Sequence, residues 1–508
     1  MLPSFVLSTL NVLATLFVVA IGAGVLVVLI LYVVDVTQTK HAVRRNYPVV
    51  GRLRYFFEHM GEFFRQYFFS MDREELPFNR AQRGWAYRAA KDIDNTVAFG
   101  STRDLRPAGT PLFVACPFPT LSTDAVETES IVIGPYCRDP YSTSKFFHIS
   151  GMSFGALSKV AVKALSRGAA IANCWYNTGE GALSSYHLEG GCDIMFQIGT
   201  AKYGVRDGAG NFSEEKLAEV ARIPQVKMFE VKLSQGAKPG KGGILPANKV
   251  STEIARYRGI PENEASISPN RHPEIDNPAE LLDFVERVRR VSGLPTGFKT
   301  VISGTGWLET LFEEVHRRGI ESAPDFITVD GADGGTGAAP MSLIDNMGLP
   351  VQEGLPMVVD ALNAYALQDR VKVIASGKLI TPTEVAWALC AGADFVVSAR
   401  GFMFALGCIQ ALQCNKNTCP TGITTHEKRL QRGLVPREKD KRVAAYQQNM
   451  EKEVGVIAHS CGVREPRRLK RYHVRIQTDS SKSIPMNQLW PDVAVGSALK
   501  QKTEAAAS

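Results

Sequence analysis

Three cysteines carry the strongest chemical signal: Cys408, Cys414 and Cys419, in the run GCIQALQCNKNTCPTG. Their spacing is C-x5-C-x4-C, with Pro420 directly after the last thiol. Structural zinc takes four ligands and favours short C-x2-C hooks, and none occurs here. Iron–sulfur clusters are the other common use of grouped thiolates, often ending in Cys-Pro. Three ligands rather than four point to a cluster that lacks one corner iron. The plain alternative is a loop with three unrelated thiols.

Other residues have types and places suited to binding anions. GADGGTGAAP (331–340) follows the strand-like run FITVD, and its glycines let the backbone N–H groups approach a phosphate closely. ASGKLITPTEV (375–385) and SARGF (398–402) each follow another such run. Consecutive glycine-bearing loops of this kind form the phosphate site of many parallel barrels, although ordinary tight turns look alike. Lys232 and Lys299 lie inside the apolar runs FEVKL and GFKTV. A lysine in a buried strand is costly unless paired or used. It implies either an inward-facing anionic partner or an ion pair with a strand carboxylate such as Glu230 or Asp330. SQGAKPGKGGILP (234–246) follows Lys232 and resembles a lid or anion cradle, with Lys238 and Lys241 as candidates. Glu180, between glycines in NTGEG, is placed for exposure at a loop tip. His272 in SISPNRHPEI reads as a packed loop histidine before a catalytic one.

The elements that must position these residues emerge from the hydrophobic pattern. Between about 146 and 425, short apolar runs recur near 147–150, 196, 230, 299, 328, 373 and 396. Helical patterns alternate with them: LSKVAVKALSRGAA, AELLDFVERVRRV, LETLFEEVHRRG and TPTEVAWALCAG. Alternating strands and helices argue for parallel βα units. Seven or eight units over this length suit an α/β (β/α)8 TIM barrel, where chemistry gathers at the strand C-terminal ends.

The start of the chain differs in kind. Residues 2–34 carry no charged side chain, long enough for a transmembrane helix. A signal peptide has a basic start and a shorter apolar core. Lys40, Arg44, Arg45, Arg52 and Arg54 follow, so the positive-inside rule predicts a single-pass membrane protein with its catalytic domain in the cytoplasm. Four regions are expected: an anchor (1–35), a basic and aromatic juxtamembrane connector (36–100), the barrel with its cysteine loop (101–440), and a helical extension with a polar tail (441–508). The connector, rich in Phe, Tyr and Arg, could lie on the membrane as an amphipathic helix or pack on the main domain. The tail after about Thr478 reads as poorly ordered. The 508 residues carry a net charge of +7 without a basic stripe interleaved with aromatics, which excludes a nucleic-acid footprint. Nine cysteines, mostly scattered, suit a reducing compartment.

The runs MSFGALS, NTGEG, QGAKPGKGG, ISPNRHPEI, GADGGTGAAP and NTCPTGITT resemble, in order and spacing, the flavin domain of the glutamate synthase family. The resemblance covers roughly residues 100–440. It implies a (β/α)8 barrel that binds FMN beside a [3Fe–4S] cluster and reduces a 2-imino acid, formed from 2-oxoglutarate and ammonia, to glutamate. By position it assigns Cys408, Cys414 and Cys419 to the cluster. It sets FMN on Met152 and Ser153, with Gln197, Lys232 and Lys299 near the ring. The phosphate falls to Gly334, Gly335, Thr336, Gly337, Ser376, Gly377, Ala399 and Arg400. Lys238 and Arg258 match the positions that hold the 2-oxo acid, and Glu180 matches a carboxylate near the substrate.

Two departures bear on the reaction. No cysteine precedes Cys116, so the amidotransferase nucleophile of the family's large enzymes is not expected within this chain. The family's GGQLP loop reads GGILP here, with Ile244 in place of a substrate-facing glutamine. The leading expectation is an FMN- and iron–sulfur-dependent oxidoreductase that reduces an imino acid formed from a 2-oxo acid and ammonia or an amine. N-alkylglutamate synthesis, a membrane-linked amino-acid or amine dehydrogenase, and a non-catalytic electron-transfer subunit are the alternatives. No G-x-G-x-x-G fingerprint follows a strand, so electrons are expected from a separate donor protein.

Overall fold

The computed structural model describes residues 3–479 and 482–501, and divides into two compact units, up to Ala81 and from Gln82 onward. In the first unit, helix α1 (Ser4–Thr37) is long and apolar enough to cross a membrane. A single turn (Ala42–Asn46) leads to the amphipathic helix α2 (Gly51–Phe64).

In the second unit, eight parallel strands close into a barrel in chain order. They are β1 (Phe147–Ile149), β2 (Tyr176–Asn177), β3 (Ile194–Ile198), β4 (Val226–Lys232), β5 (Thr296–Val301), β6 (Phe326–Asp330), β7 (Lys372–Ser376) and β8 (Phe395–Ser398). Seven coincide with the apolar runs in the sequence. The eighth, β2, is two residues long and too short for any periodicity to show. The four helical patterns form helices, among them α3 (Lys159–Ala172) after β1. Ser158 caps α3 by accepting from the Ala161 N–H, which satisfies one of the free donors of the first turn. Asn173 ends the helix in the left-handed conformation.

Phe147, Phe196, Phe229, Phe298, Phe326 and Phe395 are fully buried on the strands. Each contributes about 1.5–3 kcal/mol of burial. Ile133 and Tyr141, from the hairpin that pairs Ile131–Ile133 with Tyr141–Thr143, join a core cluster with Trp175, Phe326 and Phe395. Phe326 and Phe395 open their strands, so this packing lies away from the strand ends that carry the site.

Helix α4 (Pro436–Ser460) packs along α3. Gly168 permits the contact, because a Cβ there would overlap the Val443 side chain. The expectation of a loose tail after Thr478 is corrected for its larger part. Ser483–Pro485 pairs with Val474–Gln477, which pairs with Pro111–Phe113, and Met486 is buried. Residues 480–481 and 502–508 of that tail lie outside the described residues.

Candidate functional site

The C-terminal ends of the barrel strands surround one cavity, partly open to solvent. Loops from all parts of the chain that the sequence singled out meet there.

Glu230 is the polar centre of the barrel beneath this cavity. It is 1% exposed. Its Oε2 accepts from Gln197 Nε2 at 2.6 Å and Asn177 Nδ2 at 2.9 Å, and its Oε1 from Thr328 Oγ1 at 2.7 Å. A buried carboxylate is tolerable only when its lone pairs are filled in this way. The network fixes the Gln197 amide on the cavity wall.

Lys232 and Lys299 are direct register partners on β4 and β5, and both line the cavity. Each has its own carboxylate: Lys299 Nζ lies 3.1 Å from Asp330 Oδ2, and Lys232 Nζ lies 3.0 Å from Glu180 Oε1. Burial opposes the charge on Lys299, but Asp330 and Glu230 outweigh it and raise its pKa. Gln235 accepts a further hydrogen bond from Lys232.

Glu180 is not at an exposed loop tip. It follows β2 directly and packs into the cavity wall, where Gly199 and Gly243 leave it room. A Cβ at Gly199 would stand 2.6 Å from the Glu180 Cβ, and one at Gly243 2.5 Å from its Oε1. Burial pushes the Glu180 carboxyl up, yet Lys232 and Lys238 more than compensate and hold it below the usual value.

Lys238 and Arg258 supply the cavity's cationic side. Burial lowers Lys238 to about 8, with Glu180 acting against the shift. Arg258 ends the helix Thr252–Arg258, donates to Ser266 Oγ at 3.0 Å and stacks over Tyr203. Its Nε is buried without a hydrogen-bond partner, and the residue lines the cavity. Lys241 is not on the cavity wall. His272 is buried, bonded through Nε2 to the Lys232 carbonyl at 3.0 Å and lowered by burial to about 4, as a packing histidine should be.

Met152 and Ser153, after β1, form another side of the wall, and the Met152 carbonyl accepts from Tyr176. Gly335, Thr336, Gly337, Ser376, Gly377, Ala399 and Arg400 all line the cavity. No atom occupies the space a Cβ on Gly337 would fill, so its backbone is open to a ligand. Gly377 takes a φ of +123°, which a side chain would resist. Gly334 is different: it does not line the cavity but packs on Gly236, where a Cβ would approach its Cα to 2.8 Å.

Cys414 alone of the three thiols lines the cavity. Arg400 Nη1 is 3.7 Å from its Sγ, and Arg400 Nη2 donates to the Thr336 carbonyl. Lys249, which the sequence gave no reason to select, is buried on the same wall. It donates to the carbonyls of Ala156 at 2.8 Å and Cys414 at 3.2 Å, and burial lowers it to about 8. Burial raises Cys408 to about 11. Burial pushes Cys419 up too, but hydrogen bonds with Thr421 and Thr424 together outweigh it and bring the thiol below its ordinary value. Among the described residues no three His, Cys, Asp or Glu side chains are grouped to hold a metal ion. Three thiols within one loop segment are still the soft donors that iron–sulfur chemistry uses. Lys378 is the other cavity lysine that the sequence left unassigned.

A closed parallel barrel with its cavity at the strand C-termini, glycine-bearing loops at the late strands and several lysine and arginine side chains on its wall is a (β/α)8 protein whose cavity suits anions. Residues 114–464 match the family described as the conserved region in glutamate synthase, so the chain belongs to that family. It is 39% identical over 498 residues to the glutamate synthase large subunit-like protein YerD of Bacillus subtilis, covering 90% of this chain and 94% of that one. An archaeal glutamate synthase [NADPH] of Methanocaldococcus jannaschii is 31% identical over 58% of this chain and 55% of its own length. The archaeal-type enzyme of Dehalococcoides mccartyi is 29% identical, over 64% of this chain and 62% of its own length. The chain therefore spans nearly all of the first relative but less than two thirds of the other two. A flavocytochrome b2 mutant with pyruvate bound aligns over 77% of this chain and 82% of its own, at 14% identity and a TM-score of 0.45.

Proposed function

We propose that this chain is a membrane-anchored oxidoreductase of the glutamate synthase family that reduces an imino acid formed from a 2-oxo acid and ammonia or an amine. The observation that carries the reading is that Lys238 and Arg258 line the same cavity as the glycine loops, with the buried Arg258 Nε left without a hydrogen-bond partner. Two cations with spare capacity suit a carboxylate-bearing substrate, and the loops suit a cofactor phosphate. The net change is 2-oxo acid plus amine plus two electrons and two protons, giving amino acid and water.

FMN supplies two-electron chemistry when bound, with its phosphate on Gly335–Gly337, Ser376–Gly377 and Ala399–Arg400 and its ring near Met152, Ser153, Gln197, Lys232 and Lys299. Cys408, Cys414 and Cys419 would hold a [3Fe–4S] cluster, which would supply one-electron transfer. Lys299, held protonated by Asp330, would favour negative charge on a flavin bound in the cavity. Lys238 and Arg258 orient the carboxylates of the substrate. Glu180 holds Lys232 in place and, as a carboxylate below its usual pKa, accepts hydrogen bonds from an incoming ammonium or amine. Helix α1 anchors the chain, with the barrel in the cytoplasm and a separate protein as the electron donor.

Ile244 favours a second reading of the substrate. It lies on the cavity wall, where an apolar side chain offers no hydrogen bond to a distal carboxylate. A primary amine, or a 2-oxo acid other than 2-oxoglutarate, then becomes the preferred partner.

The full chain, purified anaerobically in detergent, is expected to be yellow, with FMN and iron in the ratio of one [3Fe–4S] cluster. Its reduced flavin is then mixed with 2-oxoglutarate or 2-oxobutyrate, each with ammonium or methylamine. Reoxidation by one pair names the substrates. A colourless, iron-free preparation, or no reoxidation by any pair, refutes the proposal.

A further inference from the structure

Helix α2 exposes an apolar face that the barrel chemistry does not use. Leu53, Phe56, Phe57, Met60 and Phe64 are spaced i, i+3, i+4, i+7 and i+11. At 3.6 residues per turn they fall on one stripe roughly 100° wide. Arg52, Arg54 and Glu58 fall outside that stripe. Leu53, Phe56 and Phe57 are 52%, 55% and 63% exposed, and the next segment adds Phe68 and Phe69 at 73% and 74%. Water is a poor neighbour for so continuous a patch.

The same unit shows what covers it. The uncharged run of residues 2–34 exceeds the roughly 20 residues that a bilayer core requires and ends at Val34. Asp35 follows at once and is buried. Its Oδ1 accepts from Arg52 Nη2 at 2.7 Å, and its Oδ2 from Arg52 Nε at 2.8 Å and the Val49 N–H at 3.0 Å. This two-pronged pair ties the first turn of α2 to the last turn of α1. The edge of the hydrocarbon and the start of the amphipathic helix are therefore at one level. Lys40, Arg44 and Arg45 lie between the two helices in sequence, and Arg54 on α2, where anionic headgroups would be.

We infer that α2 is a second membrane contact: it lies in the bilayer interface with Leu53, Phe56, Phe57, Met60 and Phe64 among the acyl chains, held there by the Asp35–Arg52 pair. The inference rests on the reading of α1 as a membrane span. The occupant is the bilayer itself, not the barrel domain or a second copy of the chain.

The full chain is reconstituted in vesicles of phosphatidylcholine and phosphatidylglycerol, with a benzophenone-bearing phenylalanine in place of Phe57 or, separately, Glu58. After irradiation, lipid adducts are expected at 57 and not at 58. Adducts at 57 that join only protein, to the barrel or to a second chain, overturn the inference. Extraction at alkaline pH separates the two readings. A chain released from the vesicles refutes the span in α1 and this inference with it. A chain that stays but gains no lipid at 57 refutes this inference alone. Arg52→Gln should weaken the contrast between 57 and 58 while the chain stays in the vesicles. An unchanged contrast overturns the part assigned to the ion pair.

Discussion

Lys232 and Lys299 stand side by side on β4 and β5, yet each ammonium is neutralised by a different carboxylate, Glu180 and Asp330. Two like charges at one level of a barrel would repel strongly if left alone. Separate partners keep the two lysines from sharing one carboxylate, so the barrel mouth presents two ion pairs against one face of the cavity. Lys299→Met should then leave Asp330, also bonded to the Gly236 N–H, as an unpaired buried carboxylate. Losing one partner of such a pair costs about 3–5 kcal/mol. Urea unfolding of the variant should show that loss, and Lys299→Met with Asp330→Asn should recover most of it. A loss of under ~1 kcal/mol would contradict the assigned pairing.

Lys238 gives a pH signature. Its pKa sits at about 8, below the ordinary lysine value, because burial disfavours the charge. It is mostly protonated at neutral pH, and the cation is lost as pH climbs through that value. Binding of a 2-oxo acid that needs the cation should weaken roughly fivefold between pH 8 and pH 9, following the protonated fraction. Lys238→Gln should bind weakly and show no such slope, with its FMN content unchanged. The sign for stability is opposite to that of a lysine whose pKa is raised by folding. The folded state binds fewer protons than the unfolded chain between about 8 and 10.5, so this residue's burial cost is relieved as pH rises through that window. A perturbation of the flavin spectrum by the oxo acid, titrated at each pH, reads the binding constant; a flat profile in the parent chain rejects the role.

Much of this site was legible before any coordinates, and the failures have physical reasons. FEVKL and GFKTV each place a lysine at an inward strand position, and the register pairing of Lys232 with Lys299 follows from that parity. Partner choice did not follow. Glu230 and Asp330 are the strand carboxylates the sequence offers to either lysine; Lys299 takes Asp330, but Lys232 takes Glu180, because β2 is too short to announce itself and so the direction of its loop is hidden. A run of glycines does not say which one faces a ligand, and Gly334 proved to be packing under the loop while Gly335 and Gly337 line the cavity. Lys249 sits in ANKVSTE, a stretch with no periodicity or motif; only burial against the cysteine loop sets it apart. Cysteine spacing gives proximity along a loop and not the direction of each Sγ, and only Cys414 reaches the cavity wall.

Ile244 offers the sharpest test of substrate choice. It opens the two-residue strand Ile244–Leu245, paired with Ser266–Ile267, so its backbone is fixed and only the side chain needs to change. Ile244→Gln adds an amide at the cavity wall without a new charge. A hydrogen bond to a carboxylate is worth about 1.5–3 kcal/mol, or roughly ten- to a hundredfold in affinity. The variant should gain that much for 2-oxoglutarate and little for 2-oxobutyrate, which lacks the distal carboxylate. Equal changes for both acids in the reoxidation assay would mean that position 244 does not set specificity.

Arg400 should prove to be the joint between the phosphate loop and the cysteine loop. It donates to the Thr336 carbonyl on one side and lies 3.7 Å from Cys414 Sγ on the other. Gly335 makes this possible, since a Cβ there would come within 2.7 Å of the Arg400 Nε. Among the described residues no carboxylate pairs with this guanidinium, so its charge is free to act on a phosphate. Arg400→Leu should raise the dissociation constant for FMN by about tenfold or more, the value of a charge-assisted hydrogen bond. Arg400→Lys should recover only part of it, because a point charge cannot reach both loops as a planar fork does. Fluorescence of FMN released from the protein reads the constant directly, and iron assayed on the same samples separates the two loops. Loss of FMN with iron retained would assign Arg400 to the phosphate. Loss of both would assign it to the joint, and loss of neither would reject both roles.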